Sequence, residues 1–327
     1  MQIMKQKSKL SGTKLKKLRD LRFYCLMMAV PILQFVIMYI GVNINSILLS
    51  FKEYDADYNY TWTIKNFVTV FKSFFGDSYL RESLKYSVMF FIITTVTTLL
   101  PSLLIAFYLY KKFRFTEGIK ILLFIPAVVS SVVTITVFYY IADRGYPQIV
   151  EWLTGRPDVP GLLVNSETRL GTVIGYNIFY DLAGHWLFYA SAMAGINDEI
   201  SEAAQIDGAS IWQEFRHITM PMIFPVFTTF LVSKLAGCLT GDYGMYAFAK
   251  ASGGDAIIPT MGYYFTNGIM QDTTGTTYPH FAALGIVMSI LTATIVMTAR
   301  KWLRRYDPFE DNIGEAKKKR RNGGRKR

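Results

Sequence analysis

The sequence predicts an all-α membrane protein with six transmembrane helices and both termini in the cytoplasm. The 327 residues are 51% hydrophobic, and their mean hydropathy is +0.25. The apolar residues fall in long runs, and a soluble chain of this size would usually carry more than the 18% of charged residues found here. The spans are expected to be helices, because backbone polar groups in lipid must be hydrogen-bonded within their own segment.

Six apolar segments are long enough to cross a bilayer, whose hydrocarbon core takes about 20 helical residues. They are residues 23–49, 84–110, 119–141, 169–195, 221–240 and 281–303. The first segment follows a basic start, as the apolar part of a signal peptide does, but it is too long for one and no clear cleavage site follows it. We therefore predict that residues 23–49 remain as the first transmembrane helix.

Basic residues at both ends predict the orientation. Residues 1–22 hold eight Lys or Arg and one acidic residue, and residues 300–327 hold twelve and four. Such flanks favour the cytoplasmic side and anionic lipid, so residues 1–22 and 304–327 are predicted to be basic cytoplasmic tails. The run from Lys317 to Arg321 would also suit nucleic acid, but a membrane flank explains it more simply, and no nucleic-acid partner is expected.

Six crossings with cytoplasmic ends determine the side of each connection. The extracytoplasmic segments are residues 50–83, 142–168 and 241–280. Residues 84–303 then form a five-helix core that contains a cytoplasmic loop at residues 196–220. The basic cluster Lys111–Arg114 falls inside, as the rule requires, whereas loop 196–220 is internal by the count alone, since it holds one Arg and five acidic residues.

Loop 196–220 predicts two short helices joined by a glycine turn. Asn197 is a good N-cap residue for the first helix, and Gly208 suits the turn at its end. Ser210 and Gln213 have the spacing of a capping box, which predicts that a second helix begins there, with Pro221 opening the next span. On composition alone, an amphipathic connector at the membrane surface is an alternative.

The loop also carries the run Glu202-Ala203-Ala204-Gln205-Ile206-Asp207-Gly208-Ala209, followed by Phe215, Ile218, Pro221 and Pro225. This pattern closely resembles the EAA loop of the integral-membrane permease subunits of binding-protein-dependent ABC importers, and only Met220 departs from it, where Leu is usual. The resemblance implies the type I ABC importer permease fold and a coupling helix that sits in a groove of an ATP-hydrolysing subunit. The coupling residues that it implies are Glu202, Ala203, Ala204, Asp207, Gly208 and Ala209.

The resemblance covers about residues 60–305 and points to the sugar-type, maltose-permease-like branch. Trp62, Asn66 and Phe67 fit that branch, whereas Asp255 after Gly253-Gly254 replaces its usual Pro. The implied protein is a multi-pass subunit of a prokaryotic plasma (inner) membrane. Its implied partners are a second, related permease, two ATP-binding subunits and an extracytoplasmic solute-binding protein, working by alternating access.

Polar residues in span 169–195 suggest a solute pathway. Asn177, Asp181 and His185 share one helix face, and polar groups at membrane depth usually face a cavity or a partner. Polar packing between helices is the alternative. Tyr and Trp rings beside hydrogen-bonding groups suit a sugar, and Lys234 either pairs with Asp181 or meets an anionic group of the solute. Together with the helices that supply solute contacts in related sugar permeases, these features predict a pathway of Asn177, Tyr180, Asp181, Gly184, His185, Ser233, Lys234 and Gly237.

Other chemistry finds little support in the sequence. No G-x-x-x-x-G-K-[ST] phosphate loop is present, so no cofactor is expected in this chain, and ATP and magnesium are expected on partner subunits. Cys25 and Cys238 are far apart, and the three histidines are scattered, which predicts no disulfide framework or metal site. The alternatives that remain are an importer of phosphate, a polyamine or a peptide, and a membrane-embedded enzyme that uses His185 and Asp181.

Overall fold

The computed structural model describes residues 2–55, 59–254 and 258–306. Most of the predicted C-terminal tail, residues 307–327, lies outside the described residues, and so does Asp255. The chain divides into two compact units, one of residues 1–70 with 274–286 and one of residues 71–273 with 287–327.

The first unit begins with a long helical stretch that covers the predicted first span. Its parts are α1 (Gln2–Gln34), a π-helical segment (Phe35–Gly41) and α2 (Val42–Ser50). A short antiparallel hairpin follows, made of β1 (Lys52–Tyr54) and β2 (Tyr60–Trp62), and then α3 (Lys65–Gly76), which runs past residue 70 into the second unit.

Asn66 and Phe67 hold this hairpin to the end of α2. The Asn66 amide donates hydrogen bonds to the carbonyls of Ser50, at 3.0 Å, and Lys52, at 2.8 Å. The carbonyls at a helix end have no partner within the helix, so Asn66 satisfies a group that would otherwise need water. The Phe67 ring packs on Phe51, with 5.1 Å between ring centroids.

The second unit contains the remaining helices, and the last of them begins in the first unit. They are α4 (Ser78–Tyr110), α5 (Thr116–Val128), α6 (Ser131–Tyr140), α7 (Tyr146–Thr154), α8 (Ser166–Met193), α9 (Asp198–Ile206), α10 (Ile211–Glu214), α11 (Met220–Ala236), α12 (Met245–Ala251), α13 (Met261–Gln271) and α14 (Tyr278–Leu303). A π-helical segment (Ile141–Gly145) joins α6 to α7, another (Phe215–Thr219) joins α10 to α11, and a 3₁₀ turn (Arg304–Tyr306) follows α14.

Helices occur at all six predicted spans, but not all six are apolar enough to count as membrane crossings by length and composition. Within the described residues, the four that qualify are Arg19–Ser50, Ser78–Tyr110, Ile211–Ala236 and Tyr278–Leu303. A fifth qualifies if the bent pair Thr116–Val128 and Ser131–Thr154 is one span. The helix α8, over the predicted span 169–195, falls short because residues such as Asn177, Asp181 and His185 interrupt its apolar sequence.

The prediction of one uninterrupted helix at residues 119–141 is wrong, because two helices, α5 and α6, occupy this segment. The chain bends by 107° between α5 and α6, where Val129 takes an extended conformation with φ −79° and ψ 141°. Pro126 removes one helical N–H donor just before the bend, which weakens the helix at this point. The helical path then continues beyond residue 141 through α7, so the segment predicted as loop 142–168 begins as a helix.

Two apolar clusters form the core of the second unit, and α4 and α8 contribute to both. The first cluster includes Phe90, Tyr176 and Phe248, and the second includes Phe107 and Tyr189. Small hydroxyl residues form much of the buried side of α4, namely Ser83, Ser87, Thr94, Thr98 and Ser102. Small side chains let membrane helices approach closely, which suits the extensive packing of α4 along α8.

Candidate functional site

The loop at residues 196–220, called the EAA loop here, has the predicted helix–turn–helix form. Asn197 Oδ1 caps α9 by accepting a hydrogen bond from the Glu199 N–H at 3.2 Å. Gly208 has φ +80°, a left-handed conformation that glycine adopts without steric cost. Ser210 and Gln213 form a complete capping box, with bonds of 3.3 and 2.7 Å. The N-cap, the glycine turn and the capping box that the sequence predicted are therefore all present in this loop.

Pro221 lies in the first turn of α11, as predicted, but it does not begin a separate helix. From α10 the helix runs through the π-helical segment Phe215–Thr219 into α11 without interruption. Met220 donates its N–H to the Phe215 carbonyl, five residues back, and this wider turn accommodates the proline that follows, which has no N–H to donate. The EAA loop and α11 are therefore joined by continuous helix.

The predicted coupling residues lie on the outer surface of the loop. Most of them are exposed, and Ala204 and Ala209 are half-buried. Apolar side chains beside them are also exposed, with Ile206 at 86% and Trp212 at 60%. Exposed apolar and aromatic side chains grouped in this way are typical of a protein–protein contact surface.

A cavity of about 520 Å³ lies among α4, α6, α8, the end of α11 and the segment that follows it. The predicted pathway residues that line it are Asn177, Tyr180, Asp181, Lys234 and Gly237. The lining residues outside the predicted set are Phe91, Thr94, Ser131, Val132, Ile135, Tyr176, Gly241, Asp242, Tyr243, Gly244, Tyr246 and Ala247. Ser131, Val132 and Ile135 reach the cavity because the helix breaks before them.

Lys234 pairs with Asp181 inside this cavity. The Lys234 ammonium contacts the Asp181 carboxylate, and the two side chains are 14% and 27% exposed. Of the two alternatives that the sequence left open for Lys234, the structure shows the ion pair with Asp181. Nearby, the Asn177 amide donates to the carbonyls of Val173, at 2.9 Å, and Tyr243, at 3.2 Å, and so holds the segment after α11 against α8.

Three predicted pathway residues do not line the cavity. His185 Nδ1 lies 2.6 Å from its own helix's Asp181 carbonyl, and its ring packs edge-on against Phe230 at 5.1 Å. Gly184 is half-buried on α8, and the Ser233 carbonyl accepts the Gly237 N–H at 3.3 Å. The contacts of His185 are those of a residue that packs between helices, which was the alternative to a role in the solute pathway.

The segment after α11 forms a tightly packed wall of the cavity. A Cβ atom on Gly262, in the first turn of α13, would lie 2.4 Å from the Asp242 nitrogen. The Thr260 hydroxyl donates to the Asp242 carbonyl at 3.2 Å. Gly244 has φ +78°, and a Cβ there would lie 2.7 Å from Ile135 Cδ1. Burial raises the pKa of the Asp242 carboxyl, and hydrogen bonds from the backbone N–H groups of Tyr246 and Gly244 oppose that rise.

One buried hydroxyl at the cavity, that of Tyr176, has no hydrogen-bond partner among the described residues. The Tyr176 ring stacks on Tyr180, with 5.9 Å between centroids, and meets Phe248 edge-on at 5.2 Å. Its hydroxyl is buried and makes no hydrogen bond within the described residues. A buried hydroxyl without a partner carries a desolvation cost that water or a bound ligand would remove. The cavity therefore offers aromatic faces, an amide, an ion pair and a free hydroxyl.

The chain is similar to known proteins in sequence. Residues 186–306 match the family described as "Binding-protein-dependent transport system inner membrane component". The chain is 27% identical over 229 residues to the arabinooligosaccharides transport system permease protein AraP of Halalkalibacterium halodurans, which covers 66% of this chain and 68% of AraP. It is 26% identical over 235 residues to the sn-glycerol-3-phosphate transport system permease protein UgpA of Escherichia coli, covering 72% and 77%.

A solved structure has the same fold. One chain of a bacterial alginate ABC transporter, crystallised in complex with an alginate pentasaccharide-bound periplasmic protein, superposes with a TM-score of 0.71. The superposition covers 89% of this chain and 96% of that chain, at 20% sequence identity.

Proposed function

Because this chain belongs to the inner-membrane permease subunits of binding-protein-dependent ABC transporters, we propose that it forms part of the solute pathway of a carbohydrate importer. It is a transport subunit and not an enzyme. The observation that carries the proposal is the position of the cavity, between the helices that enter and leave the EAA loop. Asp181 on α8 and Lys234 on α11 meet there, so a movement of the loop acts on both walls of the cavity.

We propose six crossings with both termini in the cytoplasm of a prokaryotic cell. The bent pair α5–α6 counts as one span, and α8 counts as another because its polar residues line the cavity and need not face lipid. The basic tails at residues 1–22 and 304–327 lie inside, residues 23–49 are the first span, and residues 50–83 lie outside. Residues 84–303 form the five-helix core, and the EAA loop is cytoplasmic.

The EAA loop is proposed to couple the permease to an ATP-binding subunit. Glu202, Ala203, Ala204, Asp207, Gly208 and Ala209 would contact that subunit, which would hold ATP and magnesium. The continuity of α10 with α11 supports this role, since closure of the ATP-binding subunits would push the span directly. The cavity would then open towards the solute-binding protein.

A neutral carbohydrate suits the cavity. Tyrosine rings offer faces for the C–H patches of a sugar. The Asn177 Oδ1 can accept a hydrogen bond from a sugar hydroxyl, and the Tyr176 hydroxyl can donate or accept one. Lys234 is the only cationic side chain among the described residues that line the cavity, and Asp181 already neutralises it. An anionic solute is the second candidate, because Lys234 could exchange Asp181 for a solute phosphate and UgpA is named for glycerol 3-phosphate transport.

The proposed complex contains a second, related permease chain, two ATP-binding subunits, an extracytoplasmic solute-binding protein and surrounding lipid, without nucleic acid. The binding-protein-dependent character of the family supports the presence of a solute-binding protein.

The test is purification from membranes of the native host in mild detergent, followed by identification of the associated chains. The purified complex is reconstituted into vesicles, and uptake of labelled neutral oligosaccharides and of glycerol 3-phosphate is measured with and without ATP. We expect all four kinds of chain and ATP-dependent uptake of a neutral oligosaccharide. Recovery of this chain alone at good yield would overturn the importer proposal. Uptake of glycerol 3-phosphate and of no oligosaccharide would overturn the proposal that the solute is a carbohydrate.

A further inference from the structure

Lys111, Ser201 and Glu214 form a buried polar cluster between the end of α4 and the EAA loop. The Lys111 ammonium contacts the Glu214 carboxylate and lies 2.8 Å from Ser201 Oγ, which itself donates to Glu214 Oε1 at 2.5 Å. The Lys111 and Glu214 side chains are only 14% and 4% exposed. The three residues come from the end of α4, from α9 and from α10, so one cluster holds three elements together.

The surroundings of the cluster favour a fixed geometry. Lys111 follows the last residue of α4, where a cation interacts favourably with the helix dipole. Its ammonium also lies 5.9 Å from the Phe107 ring centroid and 5.7 Å from that of Tyr110. Phe107 packs on Phe215 at 4.9 Å, which adds an apolar contact beside the cluster. A buried carboxylate such as that of Glu214 is strongly destabilised if its cation is removed, so the contact resists opening.

We propose that Lys111, Ser201 and Glu214 are positioning residues that attach the EAA loop to α4, so that α4 moves with the loop during transport. This inference rests on the proposed function. Further along, α4 carries Phe91 and Thr94 of the cavity wall. Thr94 precedes Lys111 by about 25 Å of helix, at 1.5 Å per residue. The cluster therefore gives the loop a second connection to the cavity, besides its direct continuation into α11.

The neighbouring Lys112 provides a matched control. It carries the same charge at the same end of α4, but its side chain is exposed. If general positive charge at this surface were what mattered, Lys111→Met and Lys112→Met would have equal effects. If the buried contact matters, only Lys111→Met will.

The experiment uses the complete importer reconstituted in vesicles and measures both solute uptake and ATP hydrolysis. For Lys111→Met we expect ATP hydrolysis to continue while solute taken up per ATP falls by about tenfold, the size of a typical coupling between distant sites. Lys112→Met should behave as the unmodified complex. The double variant Lys111→Glu with Glu214→Lys exchanges the two charges and should recover much of the lost coupling. Such a recovery would not occur if Lys111→Met acted through damage elsewhere in the protein.

Two further variants keep the test decisive if Lys111→Met fails to assemble. Ser201→Ala removes one hydrogen bond without exposing a charge, and Lys111→Met combined with Glu214→Leu leaves no buried charge unpaired. We expect both to assemble and to take up less solute per ATP. Unmodified coupling in Lys111→Met, or in both of these variants, would overturn the positioning role. Absence of uptake by the unmodified complex would instead count against the proposed function.

Discussion

Lys234 and Asp181 form an ion pair that ties α11 to α8, the helices on either side of the EAA loop. Each side chain is largely shielded from solvent, and the pair lies at the wall of the cavity. The two helices are thus joined twice, once through the chain of the loop and once through this contact. The pair is both a structural link and a polar feature that a solute would meet.

Asp181→Asn should therefore alter both stability and transport. The variant leaves the Lys234 ammonium without its carboxylate, which we expect to cost about 1–3 kcal/mol of stability, less than for a fully buried pair. Thermal unfolding of the purified complex and the KM for solute uptake measure the two effects. Ser233→Ala, next to Lys234 but outside the cavity lining, is the control and should change neither. Unaltered uptake kinetics for every candidate solute in Asp181→Asn would remove Asp181 from the pathway.

Tyr176→Phe tests whether the free hydroxyl binds solute. Removing a buried hydroxyl that has no partner should leave the folded protein equally or slightly more stable. If the hydroxyl bonds to solute, its loss should raise the KM for uptake about fivefold to tenfold, corresponding to roughly 1 kcal/mol. Tyr189→Phe is a matched control, because its hydroxyl is also buried and unpartnered within the described residues but lies in the other apolar cluster. Equal effects of the two variants on uptake would contradict the assignment.

Gly208→Pro tests the turn of the EAA loop. Proline requires φ near −65°, and Gly208 has φ +80°, so the turn between α9 and α10 cannot keep its shape. We expect the chain to remain in the membrane while ATP-dependent uptake and recovery of the ATP-binding subunit are lost. Gly208→Asn, which tolerates left-handed backbone better than most residues, should retain most of the activity. Normal uptake by Gly208→Pro would refute the coupling role of this turn.

Gly262→Ala should destabilise the wall of the cavity. Its Cβ would lie 2.4 Å from the Asp242 nitrogen and 2.5 Å from the Gly241 carbonyl carbon, and these backbone atoms cannot easily move aside. Overpacking of this kind costs about 1–3 kcal/mol, which a lower unfolding temperature would reveal. Gly171→Ala in α8 meets open space and should be neutral or mildly stabilising. Equal stability of the two variants would show that the wall yields more readily than its packing indicates.

The features that the sequence predicted correctly are local ones. Asn197, Ser210 and Gln213 form caps with groups at most three residues away, so their spacing alone specifies the contact. Helices also occur where runs of apolar residues predicted the six spans, although the one predicted at residues 119–141 is broken. The partner of Lys234 was harder to predict, because it lies on another helix. A cation and a carboxylate at membrane depth in neighbouring spans have few other possible partners, so Asp181 was one of the two alternatives considered.

The features that the sequence did not predict depend on tertiary contacts. Hydropathy is the same for a straight span and a broken one. Pro126 predicts a kink in this span, but neither the size of the bend before Ser131 nor the approach of Ile135 to the cavity. Glu214 was passed over because its partner Lys111 is 103 residues away. His185 was assigned to the pathway by its helix face. That face also packs on α11, where the rings of His185 and Tyr189 both contact Phe230. The remaining cavity wall could have been recognised from Gly241 and Gly244, which alternate with Tyr243 and Tyr246 just after α11.

The π-helical segment Phe215–Thr219 determines the rotational phase of the whole helix beyond it. One π turn adds a residue to the helical path, and each residue of an α-helix advances the side-chain direction by about 100°. Without that extra residue, Lys234 would point about a quarter-turn or more away from Asp181. The azimuth of every side chain that α11 presents to the cavity is therefore set within the EAA loop, so a local change between α-helical and π-helical winding there would rotate the cavity wall without moving the helix axis.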